Sequence, residues 1–282
     1  MRLRHLLAAG LSLAFMSLTA CGTTYSLPEV SEGSEAQART MFAAEQSKTH
    51  RAKTSSQAAV ARLERVASRV KPVASSFCQS QLGERADKSC DLPILIDRDM
   101  PVANAYHTRD AEDQPYVAVT VPMLLEIGSD DELAFILGHE YGHHIADHIE
   151  KGRQQALAGA LILGAITAAG QAYATEANPY RYTGGDSAEM ERNVNLGMAL
   201  GHSAYSQSYE LESDVIATHI TRAAGYDPIE GAKFFARAAA AKTSAGNLSF
   251  WGTHPPDAVR LATVIEAEKA ASAGQALARK AR

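Results

Sequence analysis

The pattern of apolar and polar residues predicts a chain that is mainly helical. A stretch rich in Ala, Gln, Arg and Glu predicts a long helix from about Ser34 to Val70, which Pro72 disturbs. Ser129 and Glu132 have the spacing of a capping box, and apolar residues follow them at helical spacing. A second, amphipathic helix is therefore expected over residues 130 to 150.

Two short apolar runs predict β-strands. They read LPILID over residues 92 to 97 and YVAVTV over residues 116 to 121, and both contain the β-branched residues that strands favour. The turn-rich segment DAEDQP lies between them. The pattern as a whole therefore predicts an α+β fold that is mainly helical and contains a small β-sheet.

A third apolar run extends from Ala156 to Gly170 and is rich in Ala and Gly. It is shorter than the ~20 residues that a membrane-spanning helix needs. Two interpretations remain open, a buried helix that packs closely through its small residues, or a hairpin that dips into a membrane. Further helices are predicted to end at Gly225, to begin after Asp227, and to begin again near Ala258.

The first twenty residues have the layout of a secretory signal, with Arg2 and Arg4 before an apolar run. The sequence LTAC, which ends at Cys21, is similar to a bacterial lipobox, whose cysteine becomes the lipidated N-terminus. A plain signal peptide or a membrane anchor is the alternative. We therefore expect a signal peptide over residues 1–20, a lipidated tether over 21–34, and a periplasmic protein held by its lipid at the outer membrane.

Composition limits the remaining possibilities. The chain has 282 residues, of which 46% are hydrophobic, which suits one sizeable core and predicts a single domain over residues 35–282. The net charge is −5 with histidine neutral, and the basic residues are scattered. This charge distribution excludes nucleic acid as an expected partner.

Cys78 and Cys90 are the two cysteines other than the predicted lipidation site. In an oxidising compartment they could close a disulfide loop that stabilises the fold by roughly 3 kcal/mol. The alternative is a pair of reduced, buried thiols. The expected periplasmic location favours the disulfide.

The stretch LGHEYGHHIADH contains the chemically most specific motif of the chain. His139 and His143 stand four residues apart on a predicted helix, so both imidazoles lie on one face and can reach one metal ion. With Glu140 they form H-E-x-x-H, in which two histidines bind zinc and the glutamate takes a proton from water. His144 and His148 fall off this face and are interpreted as surface or packing residues.

A catalytic zinc site of this kind needs a carboxylate from elsewhere in the chain and one open position. Glu210 in ELESD is the candidate ligand. Asp214 stands four residues later, one helical turn away, where it could orient a ligating imidazole. Glu212 points to a different face and is the second choice as a ligand.

These motifs resemble a known family. LAFILGHEYGHHIADH, then ELESD, then THPPDAVR are similar to the zinc metallopeptidases (gluzincins) typified by HtpX and the CAAX prenyl protease, over roughly residues 101 to 264. VANAYHTRD also resembles the Asn-Ala segment before the strand beside the family's cleft. Two departures are visible, because the usual transmembrane helices are missing and AEDQP replaces a glycine pair. The first departure fits the soluble, periplasmic lipoprotein branch.

The resemblance implies a zincin-like domain with a small edge sheet beside the H-E-x-x-H helix and one Zn²⁺ per chain. It implies metal ligands at His139, His143 and Glu210, a catalytic Glu140, and a supporting Asp214. It also implies catalytic roles for His254 and Arg260. From the residues alone, His254 could cap the zinc, stabilise an oxyanion or close a turn, and Arg260 could stabilise the reaction intermediate or pair with a carboxylate.

The expected activity is a zinc-dependent endopeptidase that hydrolyses misfolded or unassembled envelope proteins. A substrate peptide would lie as an added strand along the predicted edge. The residues of that edge are Tyr116, Val117, Ala118, Val119, Thr120 and Val121. An alternative is a zinc-containing binding factor for outer-membrane protein assembly with little proteolysis. Metal storage is a weaker third hypothesis, because the chain has no His-rich tract.

Overall fold

The structure is a computed structural model that describes residues 22–48, 54–82, 89–178, 185–203, 206–242, 244, 246 and 248–280, but not the side chains of 197–203 and 206. The predicted signal peptide and Cys21 lie outside these residues. The helices are α1 (Glu32–Gln46), α2 (Ser56–Leu82), α3 (Val121–Glu126), α4 (Asp130–Ile145), α5 (His148–Ala177), α6 (Asp186–Ser203), α7 (Ser206–Ala223), α8 (Pro228–Ala232), α9 (Phe250–Thr253) and α10 (Ala258–Ser272). The strands are β1 (Ile94–Asp97), β2 (Ala105–Arg109) and β3 (Pro115–Thr120).

The described residues form two compact units. Within the described residues, the larger unit lies between residues 24 and 146 and between 210 and 280, and the smaller comprises residues 22 and 23 and the described part of 147–209. The larger unit contains the sheet and most of the helices, which confirms the prediction of a mainly helical α+β fold. The smaller unit is described below as a pair of long helices.

Within the described residues, the three strands of the larger unit form one sheet in the order β1-β3-β2. Strand β3 pairs in parallel with β1 and antiparallel with β2. The prediction that residues 116–121 form an exposed edge is therefore wrong, because β3 is the central strand and its backbone groups are used on both sides. Val121 begins α3 instead of ending the strand. The sequence analysis also missed β2, which is an outer strand of the sheet within the described residues.

Helix α4 begins as predicted and ends earlier than predicted. Its N-cap Ser129 accepts a hydrogen bond from the Glu132 backbone (3.1 Å), and Glu132 in turn accepts one from the Gly128 backbone (2.6 Å). The helix ends at Ile145 instead of continuing to residue 150. Asp147 has a left-handed backbone with φ of 64°, which interrupts the helical path before α5 begins.

The long helix predicted before residue 70 is two helices, and Pro72 lies inside the second. Pro72 is exposed in α2, and the helix continues past it to Leu82. A stripe of small and apolar residues on both sides of the proline packs into the core, which compensates for the missing backbone donor. This stripe consists of Ala59, Leu63, Val66, Val70, Ala74 and Cys78.

Residues 24–34 of the predicted tether form part of the larger unit. Tyr25 is fully buried, and its backbone N–H donates to the Glu212 carboxylate (2.5 Å). Tyr25 also pairs as an isolated β-bridge with Arg279 near the C-terminus. Helix α1 then begins at Glu32, so most of residues 24–34 have fixed partners.

The disulfide joins two elements of the larger unit. Cys78, in the last turns of α2, is bonded to Cys90, which lies just before β1. Both residues are buried. The bond therefore connects the longest helix of this unit to its sheet.

The smaller unit is an antiparallel pair formed by α5 and α6. Thr167 accepts a hydrogen bond from the side-chain amide of Asn193 (2.9 Å), and a Cβ built on Gly164 would lie 3.2 Å from Val194. Helix α5 is long and apolar enough to cross a membrane, and only 6% of its apolar window is buried. The interpretation of residues 156–170 as a buried helix is therefore wrong within the described chain.

Candidate metal centre and active site

Two glycines bring α4 and α7 into direct contact. A Cβ built on Gly138 would lie 3.2 Å from the Ala217 Cα, and one built on Gly142 would lie 2.9 Å from both the Cα and the carbonyl oxygen of Ser213. This close approach places the H-E-x-x-H face of α4 against the E-x-x-x-D face of α7. The four-residue spacing of Gly138 and Gly142 is the sequence signal for it, and the motif analysis did not use it.

Replacing Gly142 by alanine is expected to destabilise the protein and weaken metal binding. The new methyl group would meet backbone atoms of α7, which can be relieved only by moving the two helices apart. Overpacking of this kind costs roughly 1–3 kcal/mol, against a gain of about 1 kcal/mol from the better helix propensity of alanine. Chemical denaturation and metal titration measure the two effects.

Gly33 provides the matched control, because it also lies in a helix and a Cβ there would meet nothing within 4 Å. The Gly33→Ala variant should be as stable as the parent or more stable, with unchanged metal affinity. Equal stability and equal metal affinity of the Gly142 and Gly33 variants would contradict the role of this close contact.

The structure brings the three predicted metal ligands together. The Nε2 atoms of His139 and His143 are 3.0 Å apart. The Glu210 carboxylate oxygens lie 3.4 Å from the first of these nitrogens and 3.3 Å from the second. Three donors at 2.0–2.1 Å from a tetrahedral zinc ion would lie about 3.3 Å from one another. The spacing of these atoms therefore fits one zinc ion.

The charges of the site also fit a divalent cation. Glu140, Glu210 and Asp214 are each at most 7% exposed, and Arg260 is a buried cation among them. Three buried carboxylates beside one guanidinium leave an excess of negative charge. A bound divalent cation would balance this charge in surroundings where water cannot screen it.

Asp214 and Arg260 hold the ligands in place. His139 Nδ1 donates to Asp214 Oδ1 (2.9 Å), which fixes the ring so that Nε2 is directed to the metal position. Arg260 binds Asp214 through two hydrogen bonds of 2.7 Å and lies 3.1 Å from Glu210 Oε2. Of the two roles considered for Arg260, the geometry favours pairing with carboxylates.

The pKa shifts of the two histidines follow from the same charges. Burial by itself lowers the pKa of His139, but the carboxylates of Glu210 and Asp214 outweigh burial and raise that pKa to about 9. Burial dominates at His143 and lowers its pKa, although Glu210 opposes the shift. The shift at His139 reflects the negative charge of the pocket, whereas the shift at His143 reflects its burial.

Glu210 and Asp214 remain ionised because positive charges lie next to them. Burial raises the pKa of Glu210, but His254 and Arg260 more than compensate and hold it well below its usual value. Burial likewise opposes ionisation of Asp214, and its paired Arg260 reverses the sign of the shift. Glu210 is therefore present as the carboxylate that a metal ligand must be.

His254 lies beside the three predicted ligands, where the sequence analysis expected an open coordination position. Its Nδ1 atom is 2.9 Å from Glu210 Oε2 and 3.3 Å from His139 Nε2. Candidate ligand atoms of His254, His139, His143 and Glu210 all lie within 4.8 Å of one another. The short helix α9 and the turn after it therefore present a fourth donor to the metal position.

Glu140 is held by the edge strand. Its Oε2 atom accepts a hydrogen bond from the backbone N–H of His107 in β2 (2.8 Å). Its Oε1 atom is buried, accepts no hydrogen bond within the described residues, and lies 3.5 Å from His254 Nε2. One oxygen thus fixes the carboxylate while the other is available to take a proton.

His107 is a site residue that the sequence analysis missed. Its Nε2 atom lies 3.2 Å from His144 Nδ1, and His144 Nε2 in turn donates to the Ser89 carbonyl (2.6 Å). His144 is completely buried, so it is a packing residue rather than a surface one. Because residue 107 contributes its backbone to Glu140, no motif of side chains could have identified it.

Three other residues considered from the sequence lie outside the group of candidate metal donors. Glu212, the second choice as a ligand, accepts a hydrogen bond from the Tyr25 backbone and is absent from the group of candidate metal donors. His148 is buried and stacks on Tyr209 with ring centroids 4.3 Å apart, which is a packing contact. Trp251 is also buried, among Phe234 and Phe250.

Comparison with known proteins identifies the family. The model of peptidase family M48 matches residues 61–268, which include all of the site residues described above. The chain belongs to peptidase family M48. This confirms the family resemblance that the three motifs indicated.

The chain is also similar to Metalloprotease LoiP of Escherichia coli (strain K12). The two are 30% identical over 138 residues, which is 49% of each chain. The similarity thus spans about half the length of this curated relative. No solved structure matches the chain significantly.

Proposed function

We propose that the protein is a zinc-dependent metalloendopeptidase. The observation that carries this proposal is the meeting of three ligand atoms from α4 and α7 beside the buried Oε1 atom of Glu140. His139, His143 and Glu210 would hold the zinc ion. When bound, zinc would polarise a peptide carbonyl and make a water molecule acidic near neutral pH.

The protein's own residues supply the remaining steps of hydrolysis. Glu140 accepts the proton of the attacking water at Oε1, while its Oε2 remains fixed by the His107 backbone. The same carboxyl group then delivers the proton to the leaving amine. Arg260 and Asp214 act by positioning, because they keep His139 in one tautomer and Glu210 ionised.

We propose that His254 leaves its present position when a substrate binds. A substrate would need the space beside His139, His143 and Glu210 that His254 Nδ1 now occupies. The turn that carries His254 would then move. Once displaced, the imidazole could act on the developing oxyanion, which was its second expected role.

The substrate peptide is proposed to add to the side of β2 that faces away from β3. The Asn104 carbonyl accepts from Thr120 in β3, whereas the His107 N–H points to Glu140. Backbone groups alternate along an antiparallel strand, so those of Ala105, His107 and Arg109 face away from β3. An extended peptide paired there would pass directly beside Glu140.

Replacing Arg109 by proline is expected to lower kcat/KM on an extended peptide substrate. Proline removes the outward N–H of residue 109 without removing a hydrogen bond to β3. The loss of one hydrogen bond, worth roughly 0.5–1.5 kcal/mol, corresponds to about a two- to ten-fold decrease. The Arg109→Ala variant is the control for the lost side chain. Equal kcat/KM values for the two variants would exclude docking at this position.

The proposed compartment is the periplasm, with the protein attached to the outer membrane through Cys21. The signal-like N-terminus and the lipobox support this location. The proposed substrates are misfolded or unassembled envelope proteins. Recognition of an extended backbone supports this class, because it suits unfolded chains and reads little sequence.

The proposed function is tested by incubating the purified protein with an unfolded envelope protein, with and without a chelator. We expect cleavage that stops with the chelator and returns on addition of zinc, with one zinc ion bound per chain. Cleavage that continues in the metal-free protein would contradict the proposal. Several ions per chain without cleavage would instead support metal storage.

A further inference from the structure

Helix α5 carries an exposed apolar face that the proposed peptidase reaction does not use. Its residues, named here the α5 apolar face, are between 41% and 75% exposed. They are Leu157, Leu161, Ile162, Ile166 and Tyr173. Contiguous apolar surface of this kind usually marks a site of interaction with a membrane or another protein.

The α5 apolar face stays exposed after α5 and α6 have packed together. The stripe of α5 that faces α6 is a different one, formed by Gly164, Thr167 and Gln171. Thr167 is buried, whereas Leu161 and Ile166 are 73% and 61% exposed. Partner helix α6 therefore covers one side of α5 and leaves its most apolar side open.

The positions of the charged residues on α5 and α6 indicate whether the helices would cross a bilayer or lie along its surface. No charged residue lies between Arg153 and Glu176, a distance of about 33 Å at 1.5 Å per residue. Helix α6 runs antiparallel alongside and exposes Glu189, Glu191 and Arg192. Because these charges cannot enter the hydrocarbon at low cost, the pair suits insertion of one face parallel to the surface instead of a full crossing.

A residue shortly after the proposed lipid attachment contacts the residue just before α5 begins. Thr24 Oγ1 donates to the carbonyl oxygen of Ala146 (3.5 Å), and the next residue, Tyr25, is held by Glu212. Cys21 is three residues before Thr24, which allows a reach of about 10 Å. Helix α5 begins two residues after Ala146. A lipid on Cys21 would therefore hold the first turn of α5 near the bilayer surface.

We propose that the α5 apolar face inserts into the outer layer of a lipid bilayer and acts as a second membrane contact beside the N-terminal lipid. A second membrane contact beside a lipid anchor strengthens attachment and fixes the orientation of the protein at the bilayer surface. Helix α5 would provide that contact. This inference rests on the lipidation of Cys21 proposed above, but not on peptidase activity.

The test places a tryptophan on the α5 apolar face of the full, lipidated chain. The Leu161→Trp variant is reconstituted in phosphatidylglycerol and phosphatidylcholine vesicles, in which the phosphatidylcholine acyl chains carry bromine. Ala188→Trp, at an exposed position of α6, is the matched control. The buried native Trp251 gives a background that is measured in the unsubstituted protein and subtracted.

Bromine is expected to decrease the emission of the residue at 161 about two-fold or more, and that of the residue at 188 by much less. Equal quenching at both positions would overturn the proposal. So would an unquenched residue 161 whose emission shifts to the blue only when an unfolded envelope protein is added, because that outcome identifies a protein partner. Mass spectrometry that finds no lipid on Cys21 would also overturn it. If the protein cleaved no substrate but residue 161 was still quenched, only the proposed peptidase function would be contradicted and the membrane contact would stand.

Discussion

The Glu140→Gln variant is expected to bind zinc with unchanged affinity and to lose nearly all proteolysis. The amide keeps the shape of the side chain and still accepts a hydrogen bond from the His107 backbone, but it cannot take a proton at the Oε1 position. General base catalysis contributes roughly 10²–10⁴-fold, so kcat should fall by about this factor. Single-turnover cleavage of an unfolded envelope protein measures it, together with the zinc content.

The same variant separates the two functions considered for this chain. A binding factor with a structural metal would keep its biological activity when Glu140 becomes glutamine, because neither the fold nor the metal changes. A peptidase would lose it. If the variant restored the full biological activity of a strain that lacks the protein, peptidase activity would not be needed for its function.

The Glu210→Gln variant is expected to lose the metal ion, whereas Glu212→Gln is expected to keep it. The two glutamates are two residues apart on α7 and both are buried, so the substitutions are closely matched. Only Glu210 lies among the imidazoles. Losing an outer hydrogen-bond partner of a ligand costs roughly 10–100-fold in metal affinity, and the loss of the ligand itself should exceed this.

Competition with a chromogenic chelator measures both metal affinities. The Glu212→Gln variant should keep its zinc affinity. Its unfolding midpoint should fall only slightly, because a neutral amide oxygen still accepts from the Tyr25 backbone N–H but binds it less strongly than a carboxylate. Equal zinc affinity of the Glu210 variant and the parent protein would show that the carboxylate ligand lies elsewhere.

The ligand set was accessible from the sequence because it depends on local spacing. His139 and His143 share a face of one helix, and Glu210 and Asp214 share a face of another. Four-residue spacing fixes these relationships before any tertiary structure forms. The family motifs then indicated that the two faces meet, and the structure brings them together at 3.0–3.4 Å.

The substrate edge was mispredicted for a physical reason. A central strand and an edge strand can have the same apolar sequence, and the difference lies in which other segments pair with them. YVAVTV was taken as the edge, but it lies between β1 and β2. AYHTR, which forms the edge, has a polar composition that did not suggest a strand. Its contact with Glu140 is made by the backbone N–H of His107, which a side-chain motif does not show.

The sequence by itself determined the chemistry of this protein: a helix with two imidazoles and a carboxylate on it, a second helix with two carboxylates, and the family to which these motifs belong. Only the tertiary structure decided the order of the sheet, the fourth donor at His254, the fixed path of residues 24–34 and the exposure of α5. The first group depends on contacts within one or two helical turns. The second depends on pairings between residues far apart in the chain, which no local pattern specifies.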